Sequence, residues 1–158
     1  MQLRIKQRVF AWSDTYDVYD EYGEARYFVK AKLLSFGHQI HVYDKHTGRE
    51  VGAIRQKLLA FLPQFEIVIG GRTVGTIRKQ FSLFTSRYAV DFMGWSVDGD
   101  LLHWDYSVYQ SGRRVMNIQK ALFSWGDTYT LTYDQPENEI PGLLLVIAID
   151  AANCSQEK

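Results

Sequence analysis

The chain has 158 residues, of which 46% are hydrophobic and 15% aromatic. This is typical of one globular domain rather than of a disordered chain, so we treat residues 1–158 as a single domain. Lys and Arg (18) balance Asp and Glu (18), and zero net charge excludes a global field that would attract nucleic acid. We therefore expect no nucleic-acid partner.

Cys154 is the only cysteine, which excludes an internal disulfide and a cysteine-rich metal cluster. The first eight residues are basic, but the apolar core of a signal peptide does not follow them. We therefore expect a cytoplasmic protein, with a peripheral location at the membrane as the alternative.

Short runs of alternating apolar and polar residues, separated by turn residues, continue up to Tyr133 and are typical of β-strands. The predicted strands cover residues 3–7, 16–20, 26–33, 39–43, 50–56, 65–69, 72–79, 87–93, 95–97, 101–109, 113–119 and 128–133. Gly70-Gly71, Asp98-Gly99-Asp100 and Ser111-Gly112 predict turns between them. About a dozen strands at this spacing predict an all-β barrel or sandwich.

Four segments share one pattern of apolar, basic and aromatic residues. A gapless alignment places Val51, Val74 and Val115 at equivalent positions, and a fourth copy begins at Val29. Each copy consists of a strand, a connection with an aromatic residue, and a second strand. This repetition indicates hairpins laid side by side until the sheet closes on itself.

Alternation along the strands also predicts which side chains point into the barrel. The apolar pairs predicted to point inward are Ile54 with Leu58, Ile77 with Phe81, Ile118 with Leu122, and Val29 with Leu33. The residues predicted to point outward are Arg55, Arg78, Gln119 and Lys30. A barrel lined by large apolar side chains has to be filled.

Residues 140–152 are the strong helix candidate, and this segment is apolar on every face. As a helix it extends about 20 Å, which is short of the ~30 Å hydrocarbon core of a bilayer. We therefore expect no transmembrane segment, and we expect this helix to fill the barrel. Asp150, near its end, lies either in water at the barrel exit or paired inside the barrel.

The chain resembles the LURP-one-related (LOR) family of the tubby C-terminal-like superfamily. The features that carry the resemblance are residues 3–10, residues 16–20, the Tyr43-Asp44-Lys45 turn, the Val-Gly-x-Ile-Arg segments at Val51 and Val74, and the helix at 142–152. The resemblance implies a closed antiparallel barrel of twelve strands around a buried C-terminal helix. Related tubby domains bind phosphoinositides and related scramblases act on phospholipids, but no site residue of either matches this chain.

Basic residues recur at or beside the outward positions of the repeat. The candidates for binding a lipid headgroup or another anion are Lys30, Lys32, Arg55, Lys57, Arg78 and Lys79. If their strands are neighbours, these residues form a cationic surface able to contact lipid phosphates. The alternative is a solvated strand face that discourages edge pairing. Zero net charge and the nearby Glu50 and Glu66 favour the solvated face.

The connection within each repeat copy contains an aromatic residue. These residues are Phe36, Phe61, Phe84 and Trp125. We expect them to cap the end of the barrel core, because buried aromatic rings dominate core energetics. The alternative is insertion into a membrane interface.

The residue types that carry catalysis do not form a recognisable motif. The histidines are His38, His41, His46 and His103, and they form neither a paired Cys/His cluster nor an HExxH segment. The chain also lacks GxSxG and a phosphate-binding loop. We therefore predict no catalytic residues, no metal site and no cofactor.

Two classes of function remain after these exclusions. We expect a non-enzymatic binding or scaffold protein whose basic barrel face binds anionic phospholipid headgroups. The alternative is an enzyme, or a protein that binds a small molecule, with its site at a barrel rim. That alternative predicts a polar, concave pocket at the rim with converging carboxylates or histidines.

Overall fold

The alternating segments form a single antiparallel sheet in the computed structural model, which describes residues 1–6, 15–34, 37–58, 61–80, 87–120 and 128–154. Within these residues the strands are β1 (Gln2–Lys6), β2 (Thr15–Asp20), β3 (Ala25–Leu34), β4 (Gly37–Asp44), β5 (Glu50–Gln56), β6 (Gln64–Ile69), β7 (Arg72–Gln80), β8 (Arg87–Asp91), β9 (Trp95–Asp100), β10 (Asp105–Gln110), β11 (Arg113–Lys120) and β12 (Thr128–Tyr133). A 3-10 turn (Pro136–Asn138) then leads into the helix α1 (Glu139–Cys154).

The strands follow one another around the sheet in the order β8-β7-β6-β5-β4-β3-β2-β1-β12-β11-β10-β9. Pairing of β1 with β12 joins the two halves of the chain. Among the described residues, no pairing joins β8 to β9, so the barrel is nearly closed, with one seam. The all-β prediction of a twelve-stranded antiparallel barrel with one helix is confirmed. The repeat copies correspond to the hairpins β3–β4, β5–β6, β7–β8 and β11–β12.

The inward positions predicted from the repeat are confirmed on the strands. Val29, Ile54, Ile77 and Ile118 are fully buried. Leu58 is an exception, because it is 52% exposed and follows the end of β5, where strand alternation no longer applies. Phe81 and Leu122 lie outside the described residues, as does the side chain of Leu33.

One predicted turn is wrong, because Asp98-Gly99-Asp100 lies inside β9 and residues 101–104 form the turn. The Asp100 carboxylate closes this turn by accepting a hydrogen bond from the backbone N–H of His103. Its hydrogen bond with the His103 ring lowers the pKa of Asp100. Gly99 has a φ of +128°, and a Cβ there would lie 2.6 Å from the carbonyl oxygen of Asp105. The glycine therefore allows β10 to approach β9 closely.

The helix α1 fills the barrel, as its apolar sequence predicts. Residues 142–152 are all buried, and the helix side chains join the strands in one hydrophobic core. Asp150 is 3% exposed, so it lies inside the barrel rather than in water at the exit. Burial, and then the charge of Asp150, raises the pKa of Tyr106 well above its usual value.

Where the helix meets the strands, a glycine on one element packs against a large side chain on the other. A Cβ at Gly52 would lie 2.5 Å from Cδ1 of Leu144 on α1. The equivalent position of another repeat copy is Met116, and there the helix supplies the glycine: a Cβ at Gly142 would lie 2.4 Å from Sδ of Met116. Each close contact therefore pairs one large side chain with one glycine, which fits the helix into the barrel.

The C-terminal turn of α1 bridges the seam between β8 and β9. The Asn153 carboxamide oxygen accepts a hydrogen bond from the Tyr88 hydroxyl on β8. Its Nδ2 donates to the carbonyl oxygen of Leu101, which follows β9, at 2.9 Å. The helix thus joins the two strand edges that do not pair with each other.

Because neighbouring strands are antiparallel, the connections alternate between two ends of the barrel. We call the end reached by the odd-numbered strands the loop end. The other end, the turn end, carries the tight turns at residues 21–24, 45–49, 70–71, 92–94 and 111–112. Since β12 finishes at the turn end, α1 begins there and runs to the loop end.

A carboxylate anchors the start of α1 at the turn end. Glu139 accepts hydrogen bonds from the hydroxyls of Tyr27 on β3 and Tyr133 on β12, one on each carboxylate oxygen. Arg26 contributes a third contact at 3.4 Å. Burial, and then the hydrogen bond to Glu139, raises the pKa of both tyrosines well above the ordinary value of 10.0.

The Gly52–Leu144 contact predicts a specific cost for adding one methyl group. Gly52→Ala should lower the free energy of unfolding by about 1–3 kcal/mol, because the added Cβ overpacks the core. Adding Leu144→Ala should relieve the clash, so its own cost should be smaller in the Gly52→Ala background than in the wild type. Urea denaturation of the four proteins measures this coupling, and additive costs would contradict it.

The Glu139 anchor predicts a loss of stability at high pH. Above pH 10 the unfolded chain releases its tyrosine protons while folded Tyr27 and Tyr133 keep theirs, so stability present below pH 10 is lost as the pH rises. In Tyr27→Phe the free energy of unfolding should fall less steeply above pH 10. Tyr22→Phe is the control, because Tyr22 is 85% exposed. The same slope in Tyr27→Phe and the control would argue against the anchor.

Candidate functional site

The predicted basic residues meet on the outer face of β3–β7, towards the loop end. Lys32 on β3 pairs with Gln39, which in turn pairs with Arg55 on β5. Two strand spacings separate Lys32 from Arg55, which is about 10 Å. Lys30 lies in the neighbouring row, where it pairs with His41.

A second row brings two more cations onto this face. The backbone N–H of Lys57 donates to the carbonyl oxygen of Gln64 at 2.9 Å, and Gln64 pairs with Arg78 on β7. Lys57 and Arg78 therefore flank β6 at its start, and both are exposed. We call Lys30, Lys32, Arg55, Lys57 and Arg78 the cationic band.

The remaining candidate, Lys79, does not share the face of the cationic band. It follows Arg78 directly, and consecutive residues of a strand point to opposite faces. Its side chain is partly buried, and its backbone N–H donates to the carbonyl oxygen of Pro63. Lys79 was chosen for its proximity in sequence rather than by strand alternation, and anion binding by Lys79 stays a prediction.

Part of the charge of the cationic band is neutralised. The Arg55 guanidinium contacts the Glu66 carboxylate through Nε (3.2 Å) and Nη2 (3.1 Å). Ion pairs within the described part of the chain do not include Lys30, Lys32, Lys57 or Arg78. The solvated-face interpretation therefore fits Arg55, while the other cations remain available to an external anion.

The connection after β5 places apolar side chains in water beside the cationic band. Phe61 is 98% exposed, so the expectation that it caps the core is wrong. Leu58 is also exposed, and it leans over the start of β4, where a Cβ at Gly37 would lie 3.1 Å from its Cδ2. The other aromatic residues of these connections, Phe36, Phe84 and Trp125, lie outside the described residues.

A small cleft of about 170 Å³ opens on the outer wall between β4, β5 and the β6–β7 turn. It contains His41 and Glu50, whose side chains contact each other, and Arg55, which Glu66 holds. Sites for small molecules usually enclose about 300–1,000 Å³. The cleft is therefore small for a substrate, and its ionisable groups already contact one another.

A wider, shallow depression lies beside it, lined by Phe28, Tyr43, Lys30, Lys45 and their neighbours. The Lys45 Nζ is 3.0 Å from the Asp17 carboxylate and 5.3 Å from the centre of the Phe28 ring. This aromatic and basic surface is not among the predicted binding residues, apart from Lys30. Strand alternation along β3 places Phe28 and Lys30 on the same outer face, so this surface could have been predicted. The repeat pattern drew attention only to Lys30.

The polar groups at the turn end do not form an open catalytic site. Both Glu139 oxygens already accept hydrogen bonds from tyrosine hydroxyls, so this carboxylate holds the helix in place. Among the described residues, no group of three or more His, Cys, Asp or Glu side chains is placed to hold a metal ion. The described chain also has no helix with the length and apolar character needed to cross a membrane.

The nearly closed barrel with a helix through its interior defines the class of protein: an antiparallel β-barrel whose core is its own C-terminal helix. The chain belongs to the LURP-one-related family, whose sequence model matches residues 1–150. It is 28% identical over 150 residues to "Uncharacterized protein YxjI" of Bacillus subtilis strain 168, covering 95% of this chain and 92% of that protein.

A similar fold occurs in the X-ray structure of a protein from Arabidopsis thaliana. The two structures match with a TM-score of 0.65 over 95% of this chain and 90% of that one. The sequence identity is 15%, so the likeness concerns the fold alone.

Proposed function

We propose that this protein is a non-enzymatic binding protein whose cationic band contacts the headgroups of anionic phospholipids. The observation that carries the proposal is the shared outer face of Lys30, Lys32, Lys57 and Arg78 on β3–β7, where Lys30, Lys57 and Arg78 are exposed and Lys32 is partly exposed. A Lys or Arg near an anionic membrane surface contributes about 1 kcal/mol to binding. Binding therefore requires several basic residues on one face, and the cationic band has them.

The occupied interior supports binding at the surface over catalysis inside the barrel. The helix side chains are buried against the strands, so a ligand has to contact the outer wall or the rims. The alternative, an enzyme with a rim site, would require converging ionisable groups open to a substrate. The small outer cleft offers His41 and Glu50, but they contact each other.

The test is sedimentation with phosphatidylcholine vesicles that contain or lack phosphatidylserine. We expect binding only to the anionic vesicles and weaker binding as salt increases, because salt screens exposed charges. Charge reversal of the band by Lys32→Glu, Lys57→Glu and Arg78→Glu together should weaken binding roughly a hundredfold.

The matched control is Arg4→Glu, Arg49→Glu and Arg114→Glu together. These arginines are exposed outside the cationic band, and the control changes the net charge by the same amount. Binding should be much less affected than in the band variant. Equal recovery of the wild type with neutral and anionic vesicles, or equal losses in the two variants, would overturn the proposal.

A further inference from the structure

Apolar and basic groups lie close together at the loop end of the barrel, around the connection between β5 and β6. The connection between β5 and β6 carries Phe61 and Leu58 at the loop end, with side chains 98% and 52% exposed. Lys57 begins the same connection. Arg78 lies near the loop end of the flanking strand β7, and Lys32 lies near the loop end of β3, which β4 separates from β5.

This connection is held in position at its base. The backbone N–H of Lys57 donates to the carbonyl oxygen of Gln64 at 2.9 Å, which closes the β5–β6 hairpin. The backbone N–H of Lys79 donates to the carbonyl oxygen of Pro63 at 2.9 Å, which ties the connection to β7. Phe61 therefore lies two residues from Pro63, in a connection whose two ends are hydrogen-bonded to the sheet.

We propose that the loop end docks on an anionic bilayer, with Phe61 and Leu58 inserted at the interface and Lys32, Lys57 and Arg78 on the surrounding phosphates. This inference rests on the proposed lipid binding and adds its orientation and its apolar anchor. A single apolar anchor gives marginal membrane binding, whereas an anchor combined with a basic patch gives stable binding. The loop end combines both.

The turn end differs from the loop end in the surroundings of its exposed aromatic residue rather than in its number of cations, since Lys45, Arg49, Arg72, Arg113 and Arg114 are exposed there. Its exposed aromatic residue, Tyr22, stands between Glu21 and Glu24 in sequence, and these charges are repelled by anionic lipid. At the loop end, exposed carboxylates lie on β9 and β10, at Asp98, Asp100 and Asp105. We therefore expect the barrel to tilt so that the β5–β6 hairpin is nearest the membrane.

The first arm of the test separates the apolar and the electrostatic contributions. Phe61→Ser should weaken binding to phosphatidylserine vesicles roughly tenfold. The binding that remains should disappear at salt concentrations where the wild type is partly retained, because only the screened contribution is left. The control is Tyr22→Ser, which removes an exposed aromatic ring from the turn end and should leave binding unchanged.

The second arm measures the environment of each end directly. In a Cys154→Ser background, an environment-sensitive dye is attached to Phe61→Cys or to Tyr22→Cys. Anionic vesicles should shift the emission of the dye at position 61 to shorter wavelength and leave the dye at position 22 unchanged.

The outcomes distinguish this inference from the proposed function. One outcome overturns the docking orientation alone: the wild type binds anionic vesicles, Phe61→Ser binds them equally well, and the dye at position 61 stays in water. In that case the basic face alone binds lipid. If no anionic vesicle is bound, the lipid proposal itself falls. In that case, binding of a protein partner lost in Phe61→Ser would assign the exposed hairpin to protein recognition.

Discussion

The structure depends on burial of one apolar helix inside the barrel, where helix and strands share a single hydrophobic core. Residues 142–152 are buried on all sides, so in water this helix requires an enclosing surface. The strands, in turn, present a continuous apolar lining that requires a filling. Where β8 and β9 do not pair, Asn153 of the helix joins their edges. We therefore expect neither element to be a stable structure alone.

This mutual dependence determines where ligands can bind. Because the interior is occupied, polar groups with access to a ligand lie on the outer wall and at the rims. On the wall, Glu66 balances Arg55 while the other cations of the band remain available. At the loop end, Phe61 and Leu58 expose apolar surface beside the band. The two features are adjacent because Arg55 and Lys57 directly precede the connection that carries Leu58 and Phe61.

Much of the fold could be predicted from the sequence, because strand alternation and helix apolarity are local properties. The bounds of β5 and β12 agree with the predicted ranges. The seam between β8 and β9 and the reciprocal packing of Gly52 and Met116 against the helix could not be predicted. They depend on which strands meet and on how closely backbones approach, and an isolated sequence carries no such distances.

The candidate site could be predicted only in part, for a related reason. Alternation correctly assigned Arg55 and Arg78 to the outer face, and the same rule would have placed Lys79 on the opposite face of β7. It could not assign Leu58 and Phe61, since side-chain directions in a connection follow no period. The exposure of Phe61 changes the expected function most, because a residue predicted to cap the core is instead in contact with water. Only the folded structure shows this.

Hydrogen exchange of the native protein tests the central claim, that helix and barrel form one cooperative unit. If α1 is the core of the barrel, its backbone amides from Leu143 to Ala152 should exchange as slowly as the most protected amides of the strands. Both sets should respond equally to denaturant, since they open only in global unfolding. Helix amides that exchange much faster than protected strand amides would show that the barrel persists without its helix, and would contradict the account.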